Sequence, residues 1–438
     1  MRNDLQMQAS TQKSAGIMLT RDPIVHALTG VAVEQENRSD RTSAIDAALL
    51  TGGVDRPYAY GLAMALLSKN VRLDVIGSDV VDSPEMHSSP NLRFYNLWPA
   101  RRRKTTLLSK LTRILRHYVS LVRYAATAKP GVFHILWNSK VQVIDRTLLM
   151  LYYKVLGKSI VLTAHNVNQG RRDSNDSLFN RITLRIQYRL ADHLFVHTQK
   201  MKEELIEQFG VSDRSVTVIR HPINNAFPDT ALTPREAKRR LGIMGHEKTI
   251  LFFGRIKPYK GVEHLLAACQ RLMVNDANYR LIIAGEVQKG NEKYQEELRS
   301  AVNSELHRGQ IILKVQFIPD EEMELYLKCA DVLVLPYNEI FQSGVLFLAY
   351  SFGLPVIATD VGSFREEIVE GRTGYLCRPS DPVDLAETIK IYFASDLYRD
   401  LDARRQEIKD YAYVHHSWNA VAELTRHVYA ELLERDPA

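Results

Sequence analysis

IDAALLTGGVDRPYAYGLAMALLSKNVRLDVIGSD, residues 45–79, is the stretch whose reading decides the fold. A short apolar run ends in Gly52-Gly53, a segment with helical spacing comes next, and a second apolar run closes it. Strand, glycine turn, helix, strand is the opening of a βαβ unit. Working outward, the further strand-like runs are GVFHILWN (131–138), KSIVLTAH (158–165), HLFVHT (193–198) and VTVIRH (216–221), with helical segments between them. This alternation predicts a parallel, doubly wound sheet.

The stretch 222–246 breaks the pattern: it is polar and carries Pro222, Pro228 and Pro234. The alternation then restarts with TILFFGR (249–255), RLIIAGE (280–286), IILKVQF (311–317), DVLVLPY (331–337) and LPVIATD (354–360). Helices are expected at 261–274, 292–305, 320–329 and 344–352. The fold class expected is therefore α/β, two doubly wound parallel-sheet (Rossmann-like) domains facing a cleft. The expected boundaries are a loosely ordered tail at 1–42, a first domain at 43–222, a second at 223–405, and a C-terminal helix at 406–438 packing back towards the first.

Composition agrees with a large soluble chain of two or three domains: 438 residues, 45 % hydrophobic and 25 % charged. Cys269, Cys329 and Cys377 are too scattered for a disulfide framework or a zinc site and read as reduced thiols. No run reaches the 18 or so apolar residues of a membrane helix. The first residues lack the apolar core of a signal peptide, so a cytoplasmic location is expected. Gly157-Lys158-Ser159 is no P-loop, because position 152 is Tyr rather than Gly. Asp400-Leu401-Asp402 sits in a charged helix away from any strand end and reads as a solvated face. No metal site is expected.

Open parallel sheets bind ligands beyond the carboxyl ends of their strands. The residues found there are Gly52-Gly53, then His165, then Arg255 with Lys260 opening a helix, then Gly285-Glu286, then Glu339 to Val345 opening another. Glycines, a guanidinium with an ammonium, and helix N-termini suit an anionic diphosphate. His221 lies on the interdomain loop and reads as structural.

At these residues the chain resembles the retaining glycosyltransferases of the GT-B fold, family-4 (group 1) type. GRIKPYKGVEHLL (254–266), VQFIPDEEMELYLKCADVLVLPY (315–337) and SFGLPVIATDVGSFREEIVEGRTGYLCRPSDPVDLAETI (351–389) carry the likeness most strongly. The GGV loop, the strand ending in His165-Asn166, ADHLFVHTQKMKEEL (191–205) and the closing helix 415–433 carry it more weakly. The resemblance implies an acceptor-side first domain and a nucleotide-sugar-binding second domain. It also implies transfer, with retention, from a nucleotide-diphosphate sugar to a glycan or lipid-linked acceptor in polysaccharide or glycoconjugate synthesis.

Under the resemblance Arg255 and Lys260 would neutralise the leaving diphosphate, and His165 would reach the donor sugar. Gly52 and Gly53 would let the backbone approach a substrate. Ser343, Gly344 and Val345 would offer N–H groups, with Gly285 and Glu286 near the base. The donor is a substrate; no cofactor, no metal and no nucleic acid is expected. The family's two glutamates, eight apart, fall on Ile340 and Leu348 here. Glu339 stands one residue early, and Gln342 and Ser343 are placed to hydrogen-bond the sugar.

Two other readings stay open: a nucleotide-sugar epimerase, with Glu339 and Glu286 as its only candidate carboxylates, and a non-catalytic nucleotide- or glycan-binding relative. Donor alone would be converted by the first. The second would show nucleotide-dependent thermal stabilisation without turnover.

The net charge of +6 is unevenly spread. No acidic residue occurs between Glu85 and Asp145. The interval holds Arg101, Arg102, Arg103, Lys104, Lys110 and Arg113, and RRRKTTLLSKLTRILRHYVSLVRYAA (101–126) has helical periodicity. Leu107, Leu111, Ile114, Leu115, Tyr118 and Val122 share one face; Lys110, Arg113, Arg116, His117 and Arg123 lie mostly on the other. Such a helix either docks on anionic lipid or covers the sheet with its apolar face and leaves the basic one wet. Peripheral attachment to the inner face of a membrane therefore stays open.

Overall fold

The run Asp46–Leu50 becomes β1, buried from Ala47 onward, and pairs in parallel with β2 (Arg72–Ser78) on one side and β4 (Val132–Ile135) on the other. An unbroken apolar run is what a strand covered on both faces requires. With β3 (Leu92–Trp98), β5 (Ser159–Thr163), β6 (His193–Val196) and β7 (Val216–Val218) the first sheet has the order β3-β2-β1-β4-β5-β6-β7. The second sheet is β10-β9-β8-β11-β12-β13. It uses β8 (Lys248–Phe253), β9 (Tyr279–Ala284), β10 (Ile311–Lys314), β11 (Val332–Leu335), β12 (Val356–Thr359) and β13 (Gly374–Cys377). All ladders within both sheets are parallel. The structure, a computed structural model, describes residues 45–98, 107–168, 170, 176–223, 229–302 and 309–435. The expected tail and the basic run Arg101, Arg102, Arg103, Lys104 lie outside them.

Around the first sheet lie α1 (Arg56–Ser68), α2 (Leu107–Thr127), α3 (142–155, with a π-turn at Asp145–Leu149), α4 (Leu178–Leu190) and α5 (Gln199–Phe209). Around the second lie α6 (Pro234–Arg240), α7 (Val262–Met273), α8 (Glu292–Val302), α9 (Asp320–Cys329), α10 (Gly344–Ser351), α11 (Pro382–Ala394) and α12 (Leu401–His415). The final helix, α13 (Trp418–Arg435), buries Val421, Val428, Tyr429 and Leu432 in the core that α1 covers on the first sheet. Gly61 makes this seating possible, since a Cβ there would lie 2.2 Å from the Trp418 ring. Tyr429 is fully buried, and its hydroxyl meets His134 Nδ1 at 2.6 Å.

One expected boundary is corrected. The cut between 405 and 406 falls inside α12, whose Arg405 donates to the carbonyls of Ala330 and Phe352 in the second domain. Those buried carbonyls hold the helix to the second sheet. The chain returns to the first domain at 416–417. There the two crossings are tied: the Ile223 N–H donates to the His416 carbonyl at 2.9 Å, and His416 Nδ1 donates to the His221 carbonyl at 3.0 Å.

A second correction concerns α2. Ile114, His117, Tyr118, Leu121 and Ala125 turn inward, whereas Leu111, Leu115 and Val122, grouped with Ile114 and Tyr118 from the sequence, are exposed. His117, assigned to the basic face, is buried with Nδ1 on the Leu97 carbonyl at 3.1 Å. The apolar arc of the helix is wider than the strip the sheet covers. Polar anchors set which part is covered: Tyr118 donates to the buried Asp145 at 3.0 Å, and Tyr124 to the buried Asp74 at 2.9 Å. Buried carboxylates require such donors.

Candidate active site

In each sheet the strand order reverses once, between β1 and β4 and between β8 and β11. Loops leaving the carboxyl ends of strands at such a switch point form the crevice of a doubly wound domain. In the first domain these loops hold Gly52-Gly53 and Trp137-Asn138. Gly52 has φ +60°, and a Cβ on it would lie 2.7 Å from the Asn138 carbonyl oxygen, so only glycine lets the two loops meet. In the second domain they hold Gly254 to Gly261 and Tyr337 to Gly344.

The second-domain loops are locked together. The Asn338 N–H donates to the Tyr259 carbonyl at 2.8 Å, and the Ile256 N–H to the Glu286 carbonyl at 2.9 Å. Lys260 is buried, its Nζ 5.0 Å from the centre of the Tyr337 ring and 5.9 Å from that of Phe252. Arg255 is exposed, with no ion-pair partner among the described residues. The Cβ position of Gly254 lies 3.6 Å from Lys260 Nζ and 3.2 Å from Val345 Cγ2, so the ammonium and the start of α10 converge on one point. Gly285 comes just after β9 with its backbone against Gly254.

The helix α10 is apolar on every side and buried from Leu346 to Tyr350. Its N-cap residue, Ser343, is buried and makes no side-chain capping bond; Gly344 is exposed. The first N–H groups of such a helix lack intrahelical partners and favour an anion. Both polar atoms of the Gln342 amide, next to the start of α10, are buried without a hydrogen-bond partner, which is costly for an amide. Glu339 and Glu286 are exposed. Ile340 and Leu348, where the resemblance places glutamates, are buried.

Across the cleft His165 stacks on Trp137 with ring centres 4.1 Å apart and planes 5° from parallel, and meets Tyr58 edge-on at 4.6 Å. Its protonation pattern is set by a chain of bonds. His197 Nδ1 faces the Ile219 carbonyl at 3.1 Å and must carry the proton. Its Nε2 is then the acceptor for His165 Nδ1 at 3.0 Å. That leaves His165 Nε2 as a bare acceptor, buried and without a partner. Burial holds the imidazole well below its ordinary pKa, with His197 and His221 adding to the shift, so the ring is neutral. The same cause brings His197 down to about 3 and His221 to about 4.

Between the domains lies a cavity of about 280 Å³. Asp55, Tyr58 and His221 line it from the first domain, and Phe253, Val345 and Leu348 from the second. Sequence reasoning misses Asp55. It caps α1 through a bond from the Tyr58 N–H at 3.3 Å and holds a left-handed backbone at φ 53°, a conformation costly for a residue with a Cβ. Asp55 is exposed at the cavity's edge, and partial desolvation there raises its carboxyl above the usual range, opposed by the Tyr58 N–H. His221, which lines the cavity, and His197, which fixes the His165 tautomer from behind, are likewise missed as part of the site. The signal exists, because β5, β6 and β7 each run into a histidine just past their carboxyl ends.

The chain matches two families: "Glycosyltransferase Family 4" over residues 51–227 and "Glycosyl transferases group 1" over residues 234–415. It is 30 % identical over 299 residues to the D-inositol 3-phosphate glycosyltransferase of Corynebacterium diphtheriae, covering 64 % of this chain and 66 % of that protein. It is 28 % identical over 258 residues to a glycogen synthase of Mycobacterium tuberculosis, covering 57 % of each. The aligned part thus spans just under two thirds of the length of the first of these relatives.

Among solved structures, sucrose-phosphate synthase of Thermosynechococcus elongatus superposes with a TM-score of 0.70 at 19 % identity, covering 90 % of this chain and all of that one. Anabaena HepE in complex with UDP-glucose does so with 0.68 at 14 % identity, again over 90 % and 100 %. These structures share the fold. The chain belongs to the group 1 glycosyltransferases of the GT-B fold.

Proposed function

We propose that this chain transfers a sugar, with retention, from a nucleoside-diphosphate sugar to a hydroxyl of a glycan or lipid-linked acceptor in polysaccharide or glycoconjugate synthesis. The observation that carries the reading is the convergence of Lys260 Nζ, Gly254 and the uncapped start of α10 at the second sheet's switch point. As the bond between sugar and diphosphate breaks, negative charge grows on the leaving phosphate. A buried ammonium and fixed N–H dipoles oppose that charge without reorganising, which is the larger part of catalysis in such sites. Arg255, exposed and unpaired among the described residues, adds a planar fork that reaches the same anion from solvent.

His165 offers the bare Nε2 lone pair to a sugar hydroxyl. Gln342 and Ser343 serve the sugar from the opposite wall. Asp55 lines the interdomain cavity opposite Val345 and Leu348 and serves the acceptor. Leu348 and Phe253 make part of that wall apolar, so recognition of the nucleoside rests on groups other than the usual glutamate. The donor is soluble and the acceptor is held at the cytoplasmic face of a membrane, where Lys110 and Arg113 on α2 meet anionic headgroups. Arg113 packs over the Trp98 ring at 4.8 Å and stands at the edge of that contact.

The test is a panel of nucleoside-diphosphate sugars with and without lipid-linked and soluble glycan acceptors, read by release of nucleoside diphosphate and by the anomeric signals of the product. Diphosphate release that depends on an acceptor, with the donor's anomeric configuration kept, is the expected result. Conversion of donor to a second sugar without acceptor would move the assignment to an epimerase. Nucleotide binding without turnover on any acceptor would make the chain a binding protein.

A further inference from the structure

The outward sides of α2, α3 and α4 are apolar. On α2 the exposed large side chains are Leu108, Leu111, Leu115, Val119 and Val122, Leu108 being 73 % exposed. On α3 they are Val143, Leu148, Leu151 and Val155, the last 82 % exposed. On α4 they are Leu178, Phe179 and Ile182, with Leu178 at 75 %. These twelve are more than half of the 22 exposed large apolar side chains among the described residues. Single exposed leucines are ordinary, whereas a patch of this extent marks an interface.

The three helices are neighbours on one face of the first sheet. Their inward residues, Tyr118 and Leu121, Leu149 and Met150, Leu184 and Tyr188, share a single core. Tyr152 of α3 donates to the Val122 carbonyl of α2 at 3.3 Å, and Arg146 of α3 donates to Asn180 of α4 at 2.8 Å. Because their inner sides meet the same sheet, their outer sides face the same way. The exposed charged residues of the three helices are cationic: Arg116, Arg123, Arg181, Arg185 and Arg189 are exposed, Arg181 being paired with Asp176, and their only acidic residue, Asp145, is buried; the exposed Glu203 and Glu207 belong to the next helix, α5. No helix among the described residues is long and apolar enough to cross a membrane.

We infer that the joined outer faces of α2, α3 and α4 insert shallowly into an anionic lipid bilayer, and that this seats the cleft at the membrane to take an acceptor carried on a lipid. The inference deepens the membrane part of the proposed function and rests on it. Electrostatic contact by one basic helix is replaced by apolar insertion of three helices with basic flanks, the composition of a surface that lies in the interface plane. Its orientation is set by topology. Each helix follows β3, β4 or β5 in the chain and leads into the next parallel strand, so its first residues, among them Leu108, Val143, Leu178 and Phe179, lie on the carboxyl-end side of the sheet, the side the cleft is on. A lipid-borne hydroxyl then reaches the cavity from the bilayer while the soluble donor enters from water. A protein partner would bury the same leucines, but five exposed arginines on three helices that expose no carboxylate match anionic headgroups.

The experiment compares the full chain with the variant Leu111→Ser, Leu148→Ser, Leu178→Ser, Phe179→Ser in co-sedimentation with phosphatidylglycerol–phosphatidylcholine vesicles and with phosphatidylcholine vesicles alone. All four positions are exposed, so the fold is kept, and an unchanged melting temperature checks it. The expected result is binding to the anionic vesicles, weakened roughly tenfold or more in the variant, with nucleoside diphosphate binding by calorimetry unchanged. Wild-type vesicle binding by the variant, or no vesicle binding by the wild type, overturns the inference. A dimer that the substitutions disperse, or protection of α2 to α4 from hydrogen exchange without lipid, overturns it too, in favour of a second copy or of residues 1–44 as the cover. Vesicle binding in a protein that transfers no sugar to any acceptor would sink the proposed function alone.

Discussion

The two sheets present unlike groups at equivalent places. Loops at the first sheet's carboxyl edge gather His165, His197 and His221, all neutral, with Tyr58 and Trp137. Loops at the second sheet's edge gather Lys260 and Arg255 beside a helix N-terminus. The outer layers differ too: α2 to α4 expose leucine and valine, while α8 exposes lysine and glutamate. One architecture therefore presents two chemically unlike edges. The cationic edge is suited to bind and stabilise an anion. The neutral edge is suited to orient uncharged hydroxyls without competing for the diphosphate, as a protonated histidine would.

The largest effect should come from the cationic side. Arg255→Ala and Lys260→Ala are each expected to lower kcat/KM roughly a hundredfold, about 3 kcal/mol of transition-state stabilisation. Lys260→Arg should not restore it, since a planar guanidinium does not fit a buried site shaped for an ammonium.

Next in size is the joint between the domains. Burial pushes the Glu367 carboxyl up to about 8, opposed by Arg220 and aided by Glu366. Its Oε2 lies 3.4 Å from His416 Nε2, which is left bare because Nδ1 donates to the His221 carbonyl. The proton is held in the folded chain at pH values where the unfolded chain, near 4.5, has lost it. Stability from this group is thus full below about 4.5 and falls as pH rises towards about 8. Glu367→Gln keeps a donor towards His416 and removes the slope. Thermal unfolding at pH 8 should show the variant more stable by roughly 2 kcal/mol, with no gain at pH 4.

A smaller effect is expected for the neutral edge. His165→Ala loses one hydrogen bond to an uncharged hydroxyl, about 1 kcal/mol or roughly fivefold to tenfold in rate. A loss as large as that of Lys260→Ala would break the division of labour. The smallest is His221→Ala. It removes a stacked contact with Phe347 at 4.8 Å and should cost about 1 kcal/mol of stability, read in urea unfolding.

Much of this division is legible in the sequence. Long apolar strands between glycine turns give both parallel sheets, and the residues just past the strand ends include Gly52, His165, Arg255, Lys260 and Ser343. The edge strands β3 and β13 escape such reading, because Arg93 and Asn96 interrupt one and the other spans only Gly374–Cys377. Asp55 escapes because its significance lies in a backbone conformation and in a cavity whose other walls come from residues distant along the chain. The apolar arc of α2 is visible in sequence, but which part the sheet covers is not. That choice is made by Asp74 and Asp145, which are remote along the chain and meet Tyr124 and Tyr118 only after folding.

The most direct measurement is single-turnover release of nucleoside diphosphate from a labelled donor sugar in the presence of acceptor, for the wild type, Arg255→Ala and Lys260→Ala. Stabilisation of the leaving diphosphate by the second sheet's edge predicts that both variants bind acceptor normally and release diphosphate roughly a hundredfold more slowly. Release at the wild-type rate in either variant would contradict it.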